Sequence, residues 1–283
     1  MSVERESIDF DVVFVGGGPA SLAGAVRLMQ LAREKNISIE VALIEKVADI
    51  GAHSVSGAIL NPRALHELMP DHIERGCPVE AVVKGDAFYY LTRNRAFRAF
   101  LVPRYLHNKG FYIISLSKFC RWLGGIAEEI GVNIFPGFAG NEVLYDETGQ
   151  TVTGIRTGDK GLGKDGEHKA NFEPGIDLKA KVTVFGEGAR GSLFKQIEEK
   201  LNIAAAKMPQ VYETGVKEVI QLPDNHCFAT GKSNDFHFLG YPLGMNTPGG
   251  GFIYEMKDNK IAIGYLTGLG YEDALIDPYD MFI

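Results

Sequence analysis

Residues 9–21 read DFDVVFVGGGPAS and residues 39–46 read IEVALIEK, and these two stretches decide the fold. Asp9 to Val15 is a β-branched and aromatic run closed by glycines, the pattern of a strand buried on both faces of a parallel sheet. From Pro19 to Lys35, Leu22, Val26, Met29 and Leu31 recur with Ala23 and Ala25 between them, which predicts a helix packed on that sheet. Ile39 to Ile44 is the next strand. The order is a βαβ unit at the start of the chain.

The turn between strand and helix carries the chemistry. Gly16 and Gly18 hold the first two glycine positions of GxGxxG, and Ser21 stands at the third. The first glycine turns the chain sharply off the strand, the second lets backbone amides approach a pyrophosphate, and a small third residue lets helix and strand pack closely. A pyrophosphate would then sit on the helix N-terminus, where a favourable charge is worth about 0.3–1 kcal/mol. Glu45, at the end of the second strand, is the ribose-binding acid of such units. It stands 29 residues after Gly16, against about 20 in the usual unit, so the connection around 35–38 is longer. The unit alone does not separate FAD from NAD. Two later features favour a flavin: the chain leaves the sheet through a small-residue loop at 51–57 (GAHSVSG), and it returns at 181–191 (KVTVFGEGARG) with a second strand, glycine turn and helix.

Composition narrows the classes. The 283 residues are 45% hydrophobic and 23% charged, a globular profile. A net charge of −7 argues against a nucleic-acid partner, since phosphate neutralisation needs a basic excess. Cys77, Cys120 and Cys227 are widely spaced and odd in number, which excludes a disulfide framework or a zinc ribbon, and three thiolates cannot build a four-cysteine iron–sulfur cluster. They read as reduced thiols. The seven histidines show no HExxH or other metal-ligand spacing, so no metal site is expected. No catalytic acid–base motif stands out. His53 reads as a structural histidine. The acidic start (Glu4, Glu6, Asp9, Asp11) is unlike a signal or transit peptide, so the mature protein is expected to begin here.

After residue 205 strand-like runs dominate: 211–222, 236–239, 251–256 and 261–266, the last two joined by the turn 257–260. The expected architecture is α/β with an α+β second domain: a Rossmann-like FAD-binding domain of the two-domain flavoprotein type (1–75 and 116–204) and a β-rich quinone or substrate domain (76–115 and 205–283). Residues 158–175 read as a polar loop, and 117–131 as a helix capped by Ser117.

Four segments carry a resemblance: GGGPAS at 16–21, LIEKVADIGAHSVSGAILNP at 43–62, KVTVFGEGARGSL at 181–193 and YPLGMNTPGGGFIY at 241–254. Together they resemble electron transfer flavoprotein–ubiquinone oxidoreductase, from about Asp9 to the end. The resemblance implies a flavoprotein with FAD, one 4Fe–4S cluster and a ubiquinone site, passing electrons from electron transfer flavoprotein to membrane ubiquinone. It implies cofactor contacts at Gly16, Gly18, Ser21, Glu45, Lys46, Gly51, Ser56, Gly57, Gly186, Glu187 and Gly188, and ubiquinone contacts at Gly249 and Gly250. It implies that 51–72 dips into one membrane leaflet, on the cytoplasmic face of a bacterial inner membrane or at the mitochondrial inner membrane. Family members continue through a cluster domain with four cysteines, so this chain is expected to be a fragment or a short relative, without cluster ligands. Two other readings stay open: a geranylgeranyl reductase-like or aromatic hydroxylase-like enzyme using NAD(P)H, and a noncatalytic FAD-binding piece.

Overall fold

A computed structural model describes residues 4–55, 57–203, 208–226, 228, 232–244, 246–272 and 275–283. In chain order the elements begin with β1 (Ser7–Val15), α1 (Pro19–Glu34), β2 (Val41–Glu45), β3 (Gly57–Leu60), α2 (Arg63–Leu68), β4 (Val79–Val82), β5 (Asp86–Leu91), β6 (Ala96–Arg98) and β7 (Tyr112–Ser115). Then come α3 (Leu116–Glu129), β8 (Asn133–Pro136), β9 (Gly140–Tyr145), β10 (Val152–Thr157), β11 (Lys160–Leu162), β12 (His168–Glu173), β13 (Asp177–Phe185) and α4 (Ser192–Leu201). The last are β14 (Glu213–Gln221), β15 (Asp235–Gly240), β16 (Gly249–Met256), β17 (Lys260–Gly268) and α5 (Pro278–Phe282).

The chain divides into two compact units, Met1–Ser54 with Ser117–Lys207 and Val55–Leu116 with Met208–Ile283. The first unit is built on a six-stranded sheet of order β8-β2-β1-β13-β10-β9. Its first four strands run parallel, and β10 and β9 add antiparallel. Val41 to Ile44 are all buried, as expected where helices cover both faces of a parallel sheet. The apolar stripe of α1, with Leu22, Ala25 and Val26 buried, packs on β1 and β2, and α4 packs on β9. Val13, Val15, Ile44, Ile155, Leu178 and Leu193 form the core.

The second unit has a six-stranded sheet of order β14-β17-β16-β15-β5-β6 and a three-stranded sheet of order β3-β7-β4. All pairs are antiparallel except β15 with β5. The hairpin β16–β17 turns through Asp258 and Asn259, both at positive φ (59° and 53°), the requirement of a two-residue turn matched to strand twist. The small sheet packs on β16, enclosing Val83, Ile113, Tyr254, Met256 and Ala262.

Three expectations are corrected. Residues 55–75, expected in the nucleotide-binding domain, group with the second unit because Gly57–Leu60 pairs with Tyr112–Ser115. The stretch 158–175 contains the hairpin β11–β12; its side chains are nearly all exposed, so no alternation marks it. Ser117 lies inside α3, which starts at Leu116.

Candidate functional site

In the first unit, the two glycine turns leave the carboxyl ends of adjacent parallel strands, β1 and β13. Gly186 N donates to Val15 O at 2.9 Å and Gly16 N to Ile44 O at 2.9 Å. Gly16 has φ +97°, and a Cβ there would lie 2.6 Å from Gly186 O. The first glycine is therefore required by the second turn. The carboxyl ends of strands, where neighbouring connections diverge, are where open α/β sheets hold ligands.

Gly18 differs. It precedes α1 with an ordinary extended conformation, φ −79° and ψ 172°, and a Cβ there meets nothing within 4 Å. No side chain caps α1, its first turn holds no acid, and Pro19 begins it. The helix thus presents uncompensated amides to open space. Ser21 is buried, with Oγ lacking a partner, and a Cβ on Gly186 would fall 2.0 Å from it. Helix and second turn pack at contact distance because both residues are small.

Glu45 is brought to this turn across 28 residues: Gly17 N donates to its Oε2 at 2.7 Å, and Val47 N to its Oε1 at 3.1 Å. A carboxylate has about four lone-pair positions, so capacity remains for a hydroxyl. Lys46 follows, exposed. Gly51 (φ +84°) has a fold-based reason, since a Cβ there would lie 2.4 Å from Ser117 O. Ser56 lies outside the described residues, and Gly57 opens β3 in the second unit. The Glu187 carboxylate accepts from the N–H groups of Ser192, Leu193 and Phe194 at 2.9–3.2 Å, capping α4. Gly188 has φ +78° and open space beside it.

In the second unit, Gly249 and Gly250 begin β16 between β17 and β15. Gly249 has φ +150°, and a Cβ there would lie 2.2 Å from Leu266 O; on Gly250 it would lie 2.3 Å from Phe238 O. Gly250 borders an apolar cavity of about 190 Å³ walled by Phe238, Tyr241, Tyr265 and Phe282; Gly249 does not.

A family model described as "ETF-QO, ubiquinone-binding" matches residues 212–283. The chain is 44% identical over 283 residues to the mitochondrial electron transfer flavoprotein-ubiquinone oxidoreductase of Arabidopsis thaliana, covering 98% of this chain and 43% of the relative. It is 42% identical over 285 residues to the enzyme of that name from Pseudomonas aeruginosa, covering 99% and 51%. Along nearly its whole length the chain is similar to electron transfer flavoprotein-ubiquinone oxidoreductases. It spans about half the length of the curated relatives it matches. Among solved structures, a geranylgeranyl bacteriochlorophyll reductase-like protein from Thermoplasma acidophilum superposes with TM-score 0.60 at 15% identity, covering 92% of this chain and 57% of that one. A myxobacterial chondrochloren halogenase, described as FAD-dependent, gives 0.58 at 17% identity, covering 91% and 52%. These likenesses establish the α/β fold.

Two features escaped sequence reasoning. On one face of the larger sheet of the second unit, register aligns Asp86, Asp235 and Tyr254 across β5, β15 and β16, with His237 one step along. The ligand-type atoms of Asp86, Asp235 and His237 lie within 4.8 Å of one another. Asp235 is fully buried; its Oδ2 accepts from Asn108 Nδ2 at 3.0 Å and meets His237 Nε2 at 3.1 Å. Burial and the neighbouring Asp235 push the Asp86 carboxyl above the usual range, against a backbone hydrogen bond from Asn108. The residues come from segments far apart in sequence, so no spacing signals them.

The second is a surface. Leu65 and Met69, in the stretch 51–72 expected to enter a membrane, are buried, and among the large apolar side chains described there Val55 is the exposed one, at 72%. Exposed apolar groups gather at Tyr90, Phe97, Phe100, Leu101 and Tyr105, with Phe100 98% exposed. Arg93, Arg95, Arg98, Arg104 and Lys109 are exposed among them, and residues 87–116 contain no acid. No helix among the described residues is long and apolar enough to cross a membrane.

Proposed function

We propose that the chain binds FAD at the turns 16–21 and 186–188 and serves as the flavin- and quinone-binding part of an electron transfer flavoprotein–ubiquinone oxidoreductase. The observation that carries this reading is the empty space beside Gly18. Among the described residues nothing requires a glycine there, whereas a pyrophosphate seated on the amino end of α1 does. The amides following Gly16 and Gly18 would hold the diphosphate, and Glu45, fixed by Gly17 N and Val47 N, would receive ribose hydroxyls. Gly186 and Gly188 would bring backbone close to the cofactor. The Glu187 side chain belongs to α4, so only its backbone is available. When bound, FAD supplies the redox chemistry, accepting electrons and delivering two to a quinone. The quinone headgroup would lie by Gly250 among the flat apolar walls beside β16.

A 4Fe–4S cluster needs four thiolates, and the three cysteines of this chain do not fit one. The partners proposed are electron transfer flavoprotein, ubiquinone and a membrane surface. The basic and aromatic surface from Tyr90 to Lys109 suits an anionic bilayer: apolar side chains enter the interface and arginines meet lipid phosphates. Phe100→Glu with Leu101→Glu should lower binding to anionic vesicles at least about tenfold; unchanged binding would remove this surface from the account.

The function is tested by loading the chain with FAD, reducing it anaerobically by light, and following flavin absorbance on adding a short-chain ubiquinone. Rapid reoxidation by quinone is expected. Reduction by NAD(P)H instead would favour a reductase or hydroxylase role, and flavin that neither partner touches would leave a binding module.

A further inference from the structure

Strand register places Phe238 of β15, Gly251 of β16 and Tyr265 of β17 directly opposite one another, on one face of the larger sheet of the second unit. All three line the apolar cavity of about 190 Å³. Two strand spacings, roughly 9.5 Å, separate the backbones of Phe238 and Tyr265, and the residue between them has no side chain. The result is a slot over Gly251 with an aromatic ring on either side. Tyr89 of β5, paired with Phe238, stacks on that ring at 5.8 Å and backs the wall. A Cβ on Gly251 would stand 3.3 Å from Gly264 O and 3.7 Å from the Phe238 side chain, a tight but bearable fit, so the fold alone asks little of this glycine. An apolar cavity of about 150 Å³ admits a benzene ring, and this one has the volume of a single substituted ring.

Polar groups are scarce in that cavity. Among the described residues lining it, only Tyr241 and Tyr265 carry a side-chain hydrogen-bond donor. Tyr241 is half-exposed, whereas Tyr265 is buried. The Tyr265 hydroxyl donates to Met281 Sδ of α5 at 3.3 Å, and Met281 lines the same cavity. A thioether is a weak acceptor, so a carbonyl oxygen takes its place at little cost. Burial raises the pH at which Tyr265 loses its proton, which keeps the hydroxyl a donor at neutral pH. A quinone carbonyl that enters an apolar cavity gives up its hydrogen bonds to water, and leaving it unpaired there is costly. As the ring accepts electrons its carbonyl oxygens gain negative charge, and a donor already aimed at one of them binds it more strongly.

We propose that the Tyr265 hydroxyl is the hydrogen-bond donor that seats and polarises one carbonyl of a quinone ring held in the slot over Gly251. This rests on the proposed function and names the group that orients the quinone. The rings of Phe238 and Tyr265 flank the quinone, and the hydroxyl distinguishes it from a plain hydrocarbon ring, which would find the same walls and no anchor. The exchange is of hydrogen bonds only: the Tyr265 O–H turns from Met281 Sδ to the carbonyl oxygen, and its proton stays on the tyrosine.

The test titrates a short-chain ubiquinone, carbon-13 labelled at its carbonyls, into the FAD-loaded chain and records the infrared carbonyl bands of the bound quinone. In the unaltered chain one band should lie below its position in hydrocarbon solvent. Tyr265→Phe keeps the ring and removes the hydroxyl. That band should return toward its hydrocarbon position, affinity should fall about fivefold, and reoxidation of the photoreduced chain at saturating quinone should slow at least about tenfold, with FAD content unchanged. Gly251→Ala puts a methyl between the two rings and should weaken quinone binding at least about tenfold, again with FAD content unchanged; should that variant fail to fold, Tyr265→Phe decides alone. An unmoved carbonyl band in Tyr265→Phe, or full quinone affinity in a folded Gly251→Ala, overturns the proposal and leaves the proposed function standing. If the unaltered chain takes up neither FAD nor quinone, the proposed function falls, and this inference with it.

Discussion

Gly18 and Gly249 both stand at strand ends in glycine runs, and their surroundings are opposite. Around Gly249 the protein itself forbids a side chain: φ is +150° and Leu266 O would be 2.2 Å from a Cβ. Around Gly18 the protein forbids nothing: the backbone is in an ordinary region and the space is open. A glycine explained by its neighbours says little about ligands; one unexplained by them is where a ligand has to be sought. By that measure the nucleotide site of the first unit rests on firmer ground than the quinone contact at Gly249, while Gly250, beside the apolar cavity, keeps a claim.

The sharpest way to break the contrast is Gly249→Ala. Backbone strain with overlap on β17 should cost the second unit about 3 kcal/mol, read by urea unfolding. A loss under about 0.5 kcal/mol would mean the position is not fold-determined. A smaller effect sharpens the same contrast at the second glycine turn. Glu187→Ala removes the cap of α4 and should cost about 1 kcal/mol with FAD content unchanged; lost FAD at full stability would reassign the side chain to the cofactor.

The least effect is expected from acidity. The raised Asp86 carboxyl binds a proton in the folded state at pH values where the unfolded chain, with an ordinary value near about 4, has lost it. Its contribution to stability is therefore complete below that ordinary value and declines as pH rises from there through the folded value. Asp86→Asn should remove that decline in urea midpoints measured across the series; a decline that persists would assign it to other groups.

What was legible in the sequence is what is local. The βαβ unit showed because strand, turn and helix are consecutive and their periods differ. The hairpin β16–β17 showed because Asp258 and Asn259 suit a tight turn. What was not legible depends on distant pairing. Residues 57–60 look like a small-residue loop until Tyr112–Ser115 pairs with them. Asp86 and His237 become neighbours only through the parallel pairing of β5 with β15. The capping of α4 by the Glu187 side chain was not legible either, because it depends on where the chain turns into α4. The resemblance implied a membrane segment at 51–72, and tertiary packing buries two of its apolar residues, Leu65 and Met69.

The central claim is that a diphosphate occupies the space beside Gly18. Calorimetric titration of FAD into the flavin-free chain and into Gly18→Val tests it most directly, with thermal unfolding of both as the control. The account predicts saturable one-to-one binding by the unaltered chain, at least about tenfold weaker binding by the valine variant, and equal melting temperatures without ligand. Equal FAD affinity in the two proteins, or no affinity in either, would contradict it.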